Sequence, residues 1–207
     1  MYTWPLSSHA PRAQIFPSFI TGSNGGEVHR DLWGVRGRKP RVLVYTSLFP
    51  KSVQPVHGNF ILERMRHLIP HVEMSVVAPV PYFPRVNVSP GWFKYAQIPG
   101  AERFGEFDVA HPRYAVIPKL GMVTHGTSMF AGSLRQVATR LDAGDYDLID
   151  AHYVYPDGLA ATMLGARFNK PVVVSARGSD INLFSRFVTI RPMIQRVLKD
   201  AKKVIAV

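Results

Sequence analysis

One short polar segment contains side chains that could bind a hydroxylated or phosphorylated ligand. It carries His152, Tyr153, Tyr155 and Asp157 within six residues. Imidazole, phenol and carboxylate groups supply donors and acceptors suited to sugar hydroxyls or to a leaving phosphate. A structural alternative stays open, because Asp157 is also well placed to cap a following helix and His152 could be an ordinary loop histidine.

A second segment places an arginine before a glycine. It contains Arg177, Gly178, Ser179 and Asp180 in succession. An arginine in such a loop can present its planar guanidinium to a phosphate or a carboxylate. The structural alternative is a turn in which Asp180 caps a helix and pairs with Arg177.

A third segment has a glycine where a helix is predicted to begin. Gly58 and Asn59 precede a run of helically spaced apolar residues. A glycine there lets the backbone approach a ligand, and the helix dipole favours an anion such as a diphosphate. The segment matches neither the P-loop nor the dinucleotide-binding pattern, and a glycine at this place is usually a cap or a turn.

These segments need a regular scaffold, and from residue 41 the sequence predicts alternating strands and helices. Runs rich in β-branched residues predict strands at 41–47, 72–78, about 111–117, 146–151, 171–175 and 203–207. Apolar residues at helical spacing predict helices over 61–68, 130–141, 159–166 and 190–197. This alternation predicts an α/β fold with a Rossmann-like, doubly wound parallel sheet. Ligands of such sheets gather at the carboxyl ends of the strands, and all three segments fall there.

Composition sets further bounds. The 207 residues are 46% hydrophobic, enough for one sizeable core. A net charge of +11 favours binding of phosphates, acidic glycans, nucleic acid or anionic lipid. No nucleic-acid recognition motif is present. The absence of cysteine excludes a disulfide scaffold, a thiolate zinc site and a cysteine nucleophile. We therefore expect a cytoplasmic protein that does not bind nucleic acid.

The first 40 residues are predicted to form a flexible N-terminal extension. They mix prolines and glycines with a basic cluster at 36–39 and show no sustained period. A poorly ordered leader is the preferred interpretation, and a membrane-binding or partner-binding arm is the alternative. The segment lacks the pattern of a signal peptide, and no run of apolar residues is long enough for a spanning helix.

The three segments together resemble glycosyltransferase family 4. The resemblance rests on Phe49-Pro50 with His57-Gly58-Asn59-Phe60, then Ala151-His152-Tyr153-Val154-Tyr155-Pro156-Asp157-Gly158, then Arg177-Gly178-Ser179-Asp180-Ile181-Asn182. The pattern is most similar to bacterial enzymes of cell-wall and exopolysaccharide synthesis, including the teichuronic acid branch. It covers roughly residues 41–207, which we expect to form the N-terminal half of a GT-B architecture.

The resemblance implies a retaining transfer of a sugar from a nucleotide-sugar to a glycan or lipid-linked acceptor, without a metal ion or cofactor. The reaction would occur in a cleft between two Rossmann-like domains, of which the N-terminal one mainly holds the acceptor. The implied roles are donor-diphosphate binding for Gly58 and Asn59, acceptor binding for His152, Tyr153, Tyr155 and Asp157, and contact with the reacting centre for Arg177, Gly178, Ser179 and Asp180. Arg177 and Asp180 are the implied catalytic residues.

Two departures from the family pattern matter. Many relatives have a histidine where this chain has Arg177, and a guanidinium stays charged and is not a general base. We therefore expect Arg177 to stabilise negative charge on the acceptor or a phosphate. The family's two donor-binding glutamates, spaced by seven residues, also lack a counterpart, because Glu102 and Glu106 are too close together. We therefore expect the C-terminal donor-binding domain to be absent and the chain alone to transfer no sugar.

Two other questions stay open at this stage. Residues 79–126 are rich in proline and aromatic residues, and predict either an acceptor-binding or membrane-touching insert or a surface excursion with anchored aromatics. Contact with an anionic membrane at its inner face is expected from basic residues interleaved with aromatics. The alternative function is a non-catalytic acceptor-binding or interaction subunit that needs a separate C-terminal partner.

Overall fold

The computed structural model describes residues 38–84, 90–116, 121–144 and 146–207. Most of the predicted N-terminal extension, residues 1–37, lies outside the described residues. So does residue 117, at the end of one predicted strand.

The described chain is built around one seven-stranded sheet. Its spatial order is β4-β5-β2-β1-β7-β8-β9, and a separate pair joins β3 to β6. The strands are β1 (Arg41–Tyr45), β2 (Glu73–Val77), β3 (Val80–Pro81), β4 (Ala101–Phe104), β5 (Phe107–Ala110), β6 (Arg113–Tyr114), β7 (Leu148–His152), β8 (Val172–Ala176) and β9 (Lys203–Ala206). All neighbours in the large sheet are parallel except β4, which runs antiparallel to β5.

Six α-helices lie among the described residues, together with shorter helical turns. The α-helices are α1 (Asn59–Leu68), α2 (Pro90–Gln97), α3 (His125–Ala143), α4 (Leu159–Phe168), α5 (Ser179–Asn182) and α6 (Arg191–Asp200). The shorter turns are Gly121–Thr124, Val154–Gly158 and Phe184–Arg186.

Helices cover both faces of the sheet, as the strand residues of β1 show. Val42 and Val44 pack on one side with Met65 of α1. Leu43 and Tyr45 point to the other side, where they join residues of α3, α4 and α6. Successive strand residues face opposite sides, so a run of buried apolar residues requires cover on both. The predicted fold class, a Rossmann-like doubly wound α/β sheet, is confirmed.

Residues 79–126 are more regular than the sequence analysis predicted. The predicted strand at about 111–117 contains β6, and the described residues of this range also include α2, β3, β4 and β5. The strands β4 and β5 form a hairpin that adds two strands to the large sheet beside β2, with β4 outermost. The other three strands, β3 to β5, were not predicted because strands of two to four residues give too few positions for a period to be recognised.

No helix among these described residues has the combination of length and apolar character needed to cross a membrane.

Candidate functional site

The three predicted segments meet at one edge of the sheet. They follow β1, β7 and β8, which are neighbours in the sheet and run parallel. Their carboxyl ends therefore lie side by side. This edge is the candidate functional site.

Asp157 connects the segment after β7 to the segment after β1. Its buried carboxylate accepts hydrogen bonds from the backbone N–H of Ser47 and from Ser47 Oγ, the latter at 3.1 Å. Burial raises the pKa of Asp157 to about 6, against the opposing effects of the Ser47 hydrogen bonds and of Lys51. The predicted alternative, a helix cap, is wrong: the residue before α4 is Gly158, and this helix start has no side-chain cap.

Lys51 is a buried cation of the same segment that the sequence analysis missed. Its ammonium donates to the carbonyl oxygens of Ser47 at 2.8 Å and Phe49 at 2.9 Å, and the residue is only 2% exposed. Burial lowers the pKa of Lys51 to about 8, while the charges of Asp157 and Glu102 oppose this. Lys51 therefore fixes the backbone of the segment after β1. A lone lysine between two prolines gave no sequence signal for this role.

Asp180 joins the segments after β7 and β8. The side chain is buried, and its carboxylate accepts from the backbone N–H of Val154 at 2.7 Å and of Arg177 at 2.9 Å. The structural alternative holds in part, because Asp180 pairs with the Arg177 backbone while the Arg177 guanidinium hydrogen-bonds to His152. The geometry gives Asp180 an organising position, and its catalytic role stays a prediction.

Arg177 is held between an imidazole and an aromatic ring. Its Nη2 lies 2.9 Å from His152 Nδ1, and its Cζ lies 4.9 Å from the centroid of the Phe60 ring. Cation–π contact and hydrogen bonding both restrict the guanidinium. Burial lowers the pKa of Arg177, as does the nearby charge of Arg64, but an arginine keeps its charge at neutral pH.

Arg64 is a second arginine at this edge, and the sequence analysis did not select it. It lies one turn after Phe60 in α1, and its Nη1 donates to Ser175 Oγ of β8 at 2.9 Å. The sequence could have indicated this role, because Arg64 belongs to a helix that begins at the ligand-binding edge of the sheet.

Tyr153 and Ser179 close the surface between the segments after β7 and β8. Their hydroxyls share a hydrogen bond of 2.5 Å, and Ser179 is exposed. Gly178 has φ 95°, in the left-handed region that favours glycine. These three predicted site residues are therefore brought together beside Arg177.

Tyr155, like His152 and Asp157, is a predicted ligand contact that the structure buries. Its side chain is fully buried, its hydroxyl donates to the carbonyl oxygen of Met122, and its ring packs edge-on to Phe184 at 6.4 Å. The structure thus places Tyr155 in the core beneath the segment.

Gly58 and Asn59 lie at the start of α1. Gly58 has φ 76°, and a Cβ added there would lie 2.0 Å from the carbonyl oxygen of Leu48. The turn therefore requires glycine. Asn59 is exposed at the same edge, where its amide can reach a ligand.

The arrangement suits recognition of an anionic or hydroxylated group. Two guanidiniums, Arg64 and Arg177, lie beside the exposed Ser179 and the half-buried Tyr153. No group of three or more potential metal ligands occurs within the residues that the structure describes. Hydrogen bonding and positive charge are the chemical means that these side chains offer.

Comparison with known proteins identifies a family resemblance. Residues 118–207 match the profile of a family described as glycosyl transferase 4-like. TuaC of Bacillus subtilis strain 168, a proposed teichuronic acid biosynthesis glycosyltransferase, is 25% identical over 150 residues. That match covers 71% of this chain and 38% of TuaC, so the chain spans about two fifths of the length of this relative. The predicted resemblance to glycosyltransferase family 4 is confirmed.

Two solved structures are similar over most of the chain. A protein of Listeria monocytogenes proposed to be a UDP-N-acetylglucosamine 2-epimerase gives a TM-score of 0.47 at 11% identity, covering 82% of this chain and 39% of that one. The complex of UGT89C1 from Arabidopsis thaliana with UDP gives a TM-score of 0.44 at 14% identity, covering 82% and 42%.

Proposed function

We propose that this chain is the N-terminal, acceptor-binding part of a retaining glycosyltransferase with a GT-B architecture. The full enzyme transfers a sugar from a nucleotide-sugar to a glycan or lipid-linked acceptor in the biosynthesis of cell-envelope polysaccharide, without a metal or cofactor. One observation carries the proposal: Arg64, bonded to Ser175, and Arg177, bonded to His152, both lie where the segments after β1, β7 and β8 meet.

The family resemblance supports the same site. The matched residues 118–207 include the segments after β7 and β8, which contain most of the predicted site residues. TuaC is proposed to act in teichuronic acid synthesis, and this supports an envelope polysaccharide as the product class.

Arg177 supplies charge stabilisation in this proposal. It stabilises negative charge on the acceptor or on a phosphate, since preorganised cationic donors stabilise such charge. Tyr153, Gly178 and Ser179 border the acceptor beside it. Asn59, at the start of α1, lies on the side of the donor diphosphate.

Calorimetric titration of the purified chain tests this function. Lipid-linked and free glycan acceptors should bind, whereas uridine and guanosine diphosphate sugars should bind weakly. Arg177→Ala should weaken acceptor binding about tenfold, because a charge-assisted hydrogen bond is lost. Arg103→Ala is the matched control, since Arg103 lies on β4, has a 70% exposed side chain, and is 3.9 Å from Asp108. Tight nucleotide-sugar binding with no acceptor binding would contradict the assignment.

We also propose that the segment around α2 contacts an anionic membrane at its inner, cytoplasmic face. Phe83 stacks on Trp92 with ring centroids 6.4 Å apart, and Trp92 and Tyr82 are 43% and 62% exposed. Lys94 lies 5.3 Å from the centroid of the Tyr95 ring. Exposed aromatics beside a cation suit the headgroup region of a bilayer.

Vesicle sedimentation tests the membrane contact. The chain should bind vesicles containing phosphatidylglycerol more strongly than vesicles of phosphatidylcholine, and added salt should weaken the binding. Trp92→Ala should reduce the bound fraction, and Trp92→Phe should retain most of it. Equal binding to both lipids at every salt concentration would rule out the electrostatic part of the proposal.

A further inference from the structure

A buried acid–histidine pair lies directly behind Arg177. The His152 side chain is fully buried, and that of Asp150 is 12% exposed. His152 Nε2 lies 3.5 Å from Asp150 Oδ2. Asp150 Oδ1 and His152 Nε2 are both buried and make no hydrogen bond among the described residues, so the 3.5 Å contact between the two side chains is electrostatic. Neither side chain is open to a substrate at the edge of the sheet.

The hydrogen bond to Arg177 determines which nitrogen of His152 carries the proton. A guanidinium can only donate, so His152 Nδ1 must accept the bond from Arg177 Nη2 at 2.9 Å. A neutral imidazole then has its proton on Nε2, the nitrogen that faces Asp150. Protonation of Nδ1 would remove the acceptor and place an N–H against the guanidinium.

We propose that Asp150 and His152 are positioning residues for the Arg177 guanidinium. Asp150 selects the Nε2-protonated tautomer of His152, and His152 Nδ1 then holds Arg177 Nη2 in place. The inference rests on the proposed function, in which Arg177 meets a negatively charged group of the substrate.

Such positioning has a physical reason at this site. An arginine side chain loses considerable rotamer entropy when it is fixed, so a site that fixes it in advance binds its ligand more tightly. The positive charge of the nearby Arg64 repels the Arg177 guanidinium, so holding Arg177 at this site requires other contacts. The ring of Phe60 covers one face of the guanidinium, and His152 fixes one of its edges.

Nitrogen NMR of the intact chain, labelled with ¹⁵N-histidine and ¹⁵N-arginine, tests the proposal. In the unsubstituted protein we expect His152 Nε2 to be protonated, Nδ1 to be an unprotonated acceptor, and the Arg177 Nη signals to be separately resolved through slow rotation. The opposite tautomer, or an imidazolium, at neutral pH would overturn the proposal without any variant being needed.

Two substitutions at position 150 separate positioning from packing. Asp150→Ala should give a mixture of His152 tautomers and averaged Arg177 Nη signals. Asp150→Asn keeps an oxygen that can face Nε2–H, and should retain the single tautomer and the resolved signals. Unchanged Arg177 signals in a folded Asp150→Ala protein would show that Asp150 does not position the guanidinium.

Titration with inorganic pyrophosphate connects positioning to binding. Asp150→Ala should weaken pyrophosphate binding by up to about tenfold, the cost of immobilising one side chain on binding, whereas Asp150→Asn should stay close to the original affinity. Loss of binding in Arg177→Ala alone, with Asp150→Ala unaffected, would reject positioning and keep the proposed function. Equal pyrophosphate binding by the unsubstituted chain and Arg177→Ala would instead reject the anionic role of Arg177.

Discussion

Burial divides the polar residues of the candidate site into two groups. The first group is buried, and each member hydrogen-bonds to another segment of the chain. It consists of Asp157, Asp180 and His152. Asn59 and Ser179 are exposed at the edge, where their polar atoms can reach a ligand. The first group organises the three segments after the strands, and the second is free to contact a substrate. A buried polar group without a partner would cost free energy, so the pairing of the first group is expected.

At residue scale, Asp157→Asn tests the buried carboxyl. In the native protein burial raises the pKa of Asp157 to about 6, above the ordinary value of 3.8. The native state therefore binds the proton more strongly than the unfolded chain. The associated stability is fully present below about pH 4 and is lost as the pH rises through about 6. The loss corresponds to roughly 3 kcal/mol in the free energy of unfolding.

Urea denaturation between pH 4 and pH 7 measures this effect. Asparagine resembles the protonated carboxyl, so the Asp157→Asn protein should lack the loss, and its free energy of unfolding should rise relative to the unsubstituted protein as the pH increases. A difference between the two proteins that stays constant over this range would show that Asp157 has an ordinary pKa. Asp142→Asn, a substitution in α3 at a residue outside the candidate site, serves as the control.

At the scale of elements, the parallel strands were predictable and the hairpin was not. The strands β1, β7 and β8 are continuous runs of buried residues, and their burial on both faces makes the sequence pattern strong. The strand β5 has only four residues, so its pattern of buried positions is too short to be recognised in the sequence. The neighbourhood of the three site segments followed from the fold class, because a doubly wound sheet places the carboxyl ends of these strands together.

Side-chain partnerships across elements could not be predicted in the same way. Arg64 contacts Ser175 only because α1 packs across the sheet at a particular angle, and a helical period does not contain that angle. Tyr155 was chosen as a ligand contact from its residue type, yet the path of the segment after β7 takes it into the core. Both outcomes depend on tertiary packing, which local patterns do not specify.

The start of α1 gives a prediction at this scale. Gly58→Ala would place a methyl group 2.0 Å from the Leu48 carbonyl oxygen at a residue with φ 76°. We expect the free energy of unfolding to fall by about 2 kcal/mol or more, because the left-handed backbone and the close contact both add strain. Gly91→Ala in α2 is the matched control, since nothing lies within 4 Å of the added methyl there. Equal thermal stability of the two variants would show that the turn before α1 tolerates a side chain.

At the scale of the whole molecule, positive charge and the candidate site favour the same kinds of ligand. The net charge of +11 attracts phosphates, acidic glycans and anionic lipid headgroups over distances of about a Debye length. The paired arginines then provide a place where such a group can be bound with defined geometry. Long-range attraction and local recognition thus act in sequence on the same class of ligand.

The division of labour between the two halves of the proposed enzyme leads to the last prediction. The chain spans 38% of the length of TuaC, and its described residues form one large sheet with cationic groups at one edge. A retaining transfer also needs donors that hold the leaving diphosphate from the opposite side of a cleft. We therefore expect the purified chain to transfer no detectable sugar from any nucleotide-sugar to a lipid-linked acceptor.

Radiolabelled nucleotide-sugars and a mixture of lipid-linked acceptors provide the assay. Adding a separately expressed C-terminal half of TuaC should restore transfer if the chain is the acceptor-binding part of an enzyme, and Arg177→Ala should abolish the restored activity. Acceptor binding without any restored transfer would favour the alternative of a non-catalytic acceptor-binding subunit. Transfer by the chain alone would mean that its own residues hold the donor diphosphate. Substitution of Arg64 and Arg177 would then test whether these two arginines bind it.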